Sequence, residues 1–137
     1  MDITKLPFNK FIGLKVSVKS GYILMLDNRP EYRNHLHTVH ASAQFALAEA
    51  TSGYFLLNVS ELTDIVPVVR KVETKYRKPV TSAVFSKAQF QETEKDEVLN
   101  VLKQKGRTTL KVEVSLFDET DALVMQSVFE WFVAKNT

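Results

Sequence analysis

Asn34-His35-Leu36-His37-Thr38-Val39-His40-Ala41-Ser42-Ala43-Gln44-Phe45-Ala46-Leu47-Ala48-Glu49-Ala50-Thr51-Ser52-Gly53-Tyr54-Phe55-Leu56-Leu57 is the stretch whose reading decides the fold. It holds all three histidines of the chain and its longest run of small and apolar helix formers. Between Ala41 and Ala50 only Ser42, Gln44 and Glu49 are strongly polar. Ala, Leu, Gln and Glu favour helix, so the composition predicts one from about His40 to Leu57. That helix is apolar nearly all round, which predicts that other structure covers it. A carboxylate inside it is unusual, because a buried charge is costly unless it is paired or its pKa rises. Glu49 is therefore the first candidate functional residue. Two readings stay open for it, a carboxylate on the one wet edge of the helix or a working group in a site.

The rest of the chain bounds the possibilities. It has 137 residues, 45% hydrophobic and 25% charged, which predicts a single globular domain over 1–137. A formal net charge of +2 makes no case for nucleic acid or for an anionic membrane surface. Without cysteine there are no disulfides, thiolate metal sites or cysteine nucleophiles. Met1 to Lys10 carries Asp2, Lys5 and Lys10 and no apolar core, so no secretory leader is expected. No apolar run nears the roughly 20 residues of a membrane span, and a cytoplasmic location is the expectation.

Outward from the central stretch, Phe11 to Val18 reads as a strand with Ile12, Leu14, Val16 and Val18 on one face. Lys19-Ser20-Gly21 marks a turn, and Tyr22 to Leu26 reads as a short strand buried on both faces. On the far side of the helix, Asn58 is expected to end it in the left-handed conformation. Val66 to Lys78 is extended, with Val66, Val68, Val72, Thr74 and Tyr76 on one face and Lys71, Glu73, Lys75 and Arg77 on the other. Val80 to Phe90 is a further strand. Thr93 to Lys105 is a short helix that Thr93 can cap and Gly106 stops, with acids in its first turn and lysines in its last. Thr108 to Phe117 alternates almost perfectly and Ala122 to Val133 returns, so these two form a hairpin. The order predicts an α+β fold, an antiparallel sheet of about five to six strands with one long helix, whose edges invite pairing between copies.

This order resembles the hotdog fold, a curved antiparallel sheet wrapped around a long central helix. The residues around the helix sharpen the likeness. Thioesterases of the phenylacetate-pathway type and their relatives carry roughly N-x-x-G-x-x-H-G-G-x-x-x-x-L-A-D/E, and Asn34, His40, Leu47, Ala48 and Glu49 match without a gap. His37 stands at the first glycine, and Ala41 and Ser42 at the pair after the histidine. The resemblance implies an acyl-CoA thioesterase in which the Ala41 backbone N–H holds the thioester oxygen at the helix N-terminus. Glu49 is then the general base for water, or the nucleophile that forms an acyl-enzyme anhydride. Ala41 and Glu49 lie eight residues apart, about 12 Å along one helix, too far to share one carbonyl. In similar enzymes the helices of a dimer run antiparallel and each site takes one group from each copy, so a homodimer, or a dimer of dimers, is implied. Asn34 and His40 would shape the site, with His37, Ser42, Phe45 and Tyr54 as substrate contacts. An acyl tunnel at the dimer interface would be lined by Phe45, Tyr54 and Phe55.

The other constellations carry less. His35, His37 and His40 together raise a metal site, but no carboxylate falls in the cluster and the spacing matches no standard zinc pattern, so no metal is expected. The basic run around Arg77 and Lys78 is either a solvated strand end or a hold on the phosphates of coenzyme A. No cofactor is expected beyond coenzyme A as part of the substrate; the carrier is coenzyme A or an acyl carrier protein. Two other readings remain. One is a hotdog dehydratase, although the usual proline-flanked histidine loop is missing. The other is a hotdog module that binds an acyl thioester or fatty acid without turning it over, which the loss of both motif glycines favours.

Overall fold

Six strands join in one sheet, every pairing antiparallel, in a computed structural model that describes residues 1–136. They are β1 (Lys15–Val16), β2 (Leu24–Leu26), β3 (Ile65–Tyr76), β4 (Val84–Gln91), β5 (Arg107–Phe117) and β6 (Leu123–Lys135), in the spatial order β1-β2-β4-β5-β6-β3. The helices are α1 (Pro7–Ile12), α2 (Ala41–Tyr54) and α3 (Lys95–Lys105). The concave face of the sheet holds α2, which packs on β2, β4, β5 and β6. This is the hotdog architecture that the sequence predicts.

The period-2 pattern explains the inner face. Leu110, Val112, Val114 and Leu116 of β5 are all buried, as are Met125, Phe129, Trp131 and Val133 of β6. Two buried hydroxyl contacts tether α2 to this face. Thr51 Oγ1 donates to Ser86 Oγ on β4 at 2.6 Å, and Trp131 Nε1 on β6 donates to Ser52 Oγ at 2.6 Å. Phe129, fully buried, faces Val72 and Val112 across the ladders and meets Phe45 ring to ring at 6.0 Å. Its truncation to alanine leaves a void where helix and sheet meet and is expected to destabilise the fold by about 3–5 kcal/mol in urea unfolding. A loss under about 1 kcal/mol would mean that the layers collapse into the gap.

Four local expectations are corrected. Phe11 and Ile12 end α1, and only Lys15 and Val16 of the expected 11–18 strand pair. Pro7 opens α1 at its first position, and Gly13 (φ 81) closes it in the left-handed conformation. In β3 a bulge between Val69 and Lys71 reverses the faces. Val66 and Val68 are exposed, whereas Val72 and Thr74 beyond the bulge turn inward. The central helix does not end left-handed at Asn58. It runs on through one π turn, Phe55–Val59, and the positive φ falls later, at Glu61 (φ 65). Thr93 does not cap α3: its hydroxyl donates to the Gln91 carbonyl and accepts from Lys111 N–H, and Glu94 takes the cap position with no side-chain bond. Gly106 stops α3 as expected, with φ 75.

Coverage of α2 also differs from expectation. In the single chain Ala41, Ser42 and Phe45 are exposed and Glu49 is half-buried, so one stripe of the helix has no cover.

Candidate functional site

The start of α2 is built by the loop before it. The Asn34 side chain closes that loop: Oδ1 accepts from Leu36 N–H and Thr38 N–H, and Nδ2 donates to Thr38 Oγ1 at 2.8 Å. Its carboxamide is thus engaged in holding the turn. His37 sits at the tip of that turn with φ 60. There the resembling motif carries glycine, and the conformation is the physical reason, since a Cβ is penalised at positive φ. His37→Gly is expected to raise stability by about 1 kcal/mol, read as a higher denaturant midpoint with unchanged slope. A fall in midpoint would show that His37 makes a compensating contact.

His40 is the N-cap of α2. Its Nδ1 accepts the Ser42 N–H at 2.9 Å, so a neutral ring carries its proton on Nε2, and the side chain is exposed. The Ala41 N–H makes no hydrogen bond among the described residues. It stands free at the positive end of a 14-residue helix, a fixed donor for a developing oxyanion. Tyr76, at the end of β3, donates its hydroxyl to the Ala41 carbonyl at 3.1 Å. Arg77 and Lys78 follow Tyr76 directly in the chain. Arg77 Nε is held by Gln126 at 2.7 Å, and Lys78 lies 3.9 Å from Asp118. A cavity of about 320 Å³ opens here against His40, Ser42, Ala43 and Tyr32.

Glu49 lies two turns further on and opens on a different cavity. This second one, about 540 Å³, runs between Ala50 and Gly53 of α2, Ile65 and Val69 of β3, and Trp131. Burial pushes the Glu49 carboxyl above its ordinary range, and no cation offsets that cost. A carboxylate held against apolar walls is a better base than one in water. Within one chain, then, His40, Ala41 and Ser42 gather at the helix start with the end of β3, and Glu49 stands apart from them.

Within the single chain the three aromatics have these surroundings. Phe55 is buried in the core edge to face with Phe90, at 5.0 Å, Tyr54 packs partly buried against the core, and Phe45 stacks on Phe129. None of the three lines either cavity around α2. The described His, Cys, Asp and Glu residues form no cluster of three that could hold a metal ion. No helix is long and apolar enough to cross a membrane.

Three residues were not singled out from the sequence: Tyr32, whose hydroxyl donates to the Ile12 carbonyl beside His40, and Asn9 and Trp131, which wall the Glu49 cavity. The signal for Asn9 was Pro7 and Gly13 bracketing a helix; for Tyr32 and Trp131 there was none beyond their being aromatic.

Solved structures place this fold. A Pseudomonas aeruginosa protein of unknown function, called a probable thioesterase, superposes with a TM-score of 0.81 at 22% identity, covering 96% of this chain and 89% of its own. A protein of the E. coli phenylacetic acid degradation operon superposes with a TM-score of 0.72 at 13% identity, covering 98% of this chain and 91% of its own. A Bacillus halodurans protein solved with CoA superposes with a TM-score of 0.64 at 19% identity, covering 80% of this chain and 69% of its own. At such identities the likeness establishes the shared hotdog fold. Curated proteins give no sequence match. Residues 4–133 match the family described as Domain of unknown function (DUF4442), and the chain belongs to that family.

Proposed function

We propose that this protein hydrolyses acyl-CoA thioesters in a site shared between two copies of the chain. The observation that carries the reading is the pairing of two groups on one helix: an unpaired N–H at Ala41 and a carboxylate at Glu49 over an apolar cavity. The probable thioesterase and the CoA-bound protein of the same fold support it.

The two groups are about 12 Å apart along α2, so one chain cannot bring both to one carbonyl. Antiparallel α2 helices in a dimer set the Ala41 of one copy against the Glu49 of the other, using the uncovered stripe of α2 and the free edge of β3. Glu49 takes a proton from water as the water oxygen attacks the thioester carbon. The carbonyl oxygen becomes an oxyanion on the Ala41 N–H. Collapse breaks the C–S bond, and the proton on Glu49 passes to the departing thiolate, which leaves a carboxylic acid and free thiol. Direct attack by the Glu49 carboxylate, with water then cleaving the anhydride, uses the same two groups. The exposed Nε2–H of His40 is a second donor toward the carbonyl, and Asn34 acts by holding the loop that sets His40. Arg77 and Lys78, next in sequence to the Tyr76 that bonds Ala41, would hold the phosphates of coenzyme A. Ser42 and His37 would flank the entering carrier arm, and Phe45, on the uncovered stripe of α2, would face the partner copy.

The test is thiol release from a panel of short, medium, long and aromatic acyl-CoAs, run beside a solution mass measurement. Turnover of some member by a dimeric or tetrameric protein is the expected result. A monomer, or no turnover of any member, refutes the shared hydrolytic site. Tight binding without turnover would instead favour the acyl-thioester binding module.

A further inference from the structure

The cavity under Glu49 has a shape that the reaction alone does not require. One wall is the α2 face of Ala50, Gly53 and Leu57, and the opposite wall is the first half of β3 with Trp131. The third wall is the N-terminal segment, through Ile3, Leu6 and Asn9. Among the described residues neither lysine nor arginine lines it. Asn9 spends its amide N–H on the Ile3 carbonyl at 2.9 Å. Trp131 spends its N–H on Ser52 and so turns carbon edges inward. Among the described residues Glu49 is the one carboxylate on the lining, which disfavours a free fatty acid's headgroup and leaves an uncharged tail as the fitting occupant.

Gly53 decides how deep the space goes. It is helical, so its backbone does not need glycine, and glycine in a helix interior is unfavourable. Nothing crowds it either: a Cβ there would meet only Trp131 Cη2, at 3.8 Å. Its lack of a side chain keeps open the gap between α2 and the indole.

We infer that this cavity is an acyl chamber, formed within one chain, that selects medium-length aliphatic acyl groups, with Gly53 and Trp131 setting its depth. The inference deepens the thioesterase reading and rests on it only for the word acyl. At about 540 Å³ the chamber is several times the roughly 150 Å³ that encloses one benzene ring, which suits a chain of about eight to twelve carbons. Apart from Trp131 and the polar Asn9, Glu49 and Asn136, the walls are aliphatic, so a flexible chain fits them better than a flat ring.

The test uses non-hydrolysable S-butyl-CoA and S-decyl-CoA thioethers with the full-length protein, by calorimetry, so that it does not depend on catalysis. Burial gains about fourfold for each methylene, so decyl should bind at least about a hundredfold more tightly than butyl. Gly53→Leu fills the chamber and should collapse that ratio to within about threefold. Gly53→Ala should lower the ratio partway while raising Tm, because alanine is the better helix former. Thermal unfolding of both variants checks that each is folded. A wild-type ratio near one, or an undiminished ratio in a folded Gly53→Leu protein, overturns the chamber. Absence of thioester turnover with the decyl preference intact overturns the hydrolase reading and leaves the chamber standing.

Discussion

Glu49→Gln is expected to lower thioester hydrolysis on the order of 10³-fold and to leave the fold intact. Glutamine keeps the size of the side chain and its place over the cavity, but it accepts no proton and forms no anhydride. The effect should fall on kcat, because in the proposed mechanism the carboxylate serves the bond-making step. The pH dependence follows from burial, which raises the Glu49 pKa above the usual 4.5. The base works only when deprotonated, so kcat/KM should climb with pH through that raised value and then level off. Stability runs the other way. Between the unfolded value and the raised folded one the native chain binds more protons than the unfolded chain, so stability falls as pH rises through that window. The glutamine variant has no such loss. Its Tm should exceed that of the wild type at neutral pH and match it below pH 4.5. Equal hydrolysis by both proteins would remove Glu49 from the chemistry, and equal Tm at neutral pH would remove the burial cost.

Ala41→Pro should lower kcat by about 10²–10³-fold, because it deletes one backbone N–H aimed at the oxyanion. The substitution is unusually clean. Ala41 is the first residue of α2, where proline is at home and where the lost N–H carries no intrahelical bond. The residue before a proline must be extended, and His40, with φ −59 and ψ 140, already is. The Ala41 carbonyl that accepts from Tyr76 is untouched. Because the two variants damage different halves of a shared site, mixing them has its own outcome. A mixed dimer holds one site with both defects and one with neither, so random reassociation restores about a quarter of wild-type activity. Mixed protein no more active than either parent would show that one chain supplies both groups.

Much of the fold was legible because its signals are local. The alternation of Leu110, Val112, Val114 and Leu116, and the small-residue run from Ala41 to Ala50, are periodic patterns read without knowing any partner. The same is true of the candidates Glu49 and His40, which stand out by type against their neighbours. Failures came where a tertiary contact decides. Phe11 and Ile12 alternate with their followers well enough for a strand, but Pro7 opens and Gly13 closes a short helix over them. Val66 and Val68 look like core until one extra residue at the bulge turns them outward. His37 departs from its glycine motif in identity and not in conformation, a distinction only φ reveals.

By itself the sequence determined the order of the strands, the central helix and its two candidate positions, at its start and at Glu49, since propensity, period and capping act within a few residues. The tertiary structure alone decided that Tyr76 bonds the Ala41 carbonyl, and that Glu49 opens on a separate cavity walled by the N-terminal segment, β3 and Trp131. A cavity is what distant segments leave unfilled when they pack, and no local rule contains it.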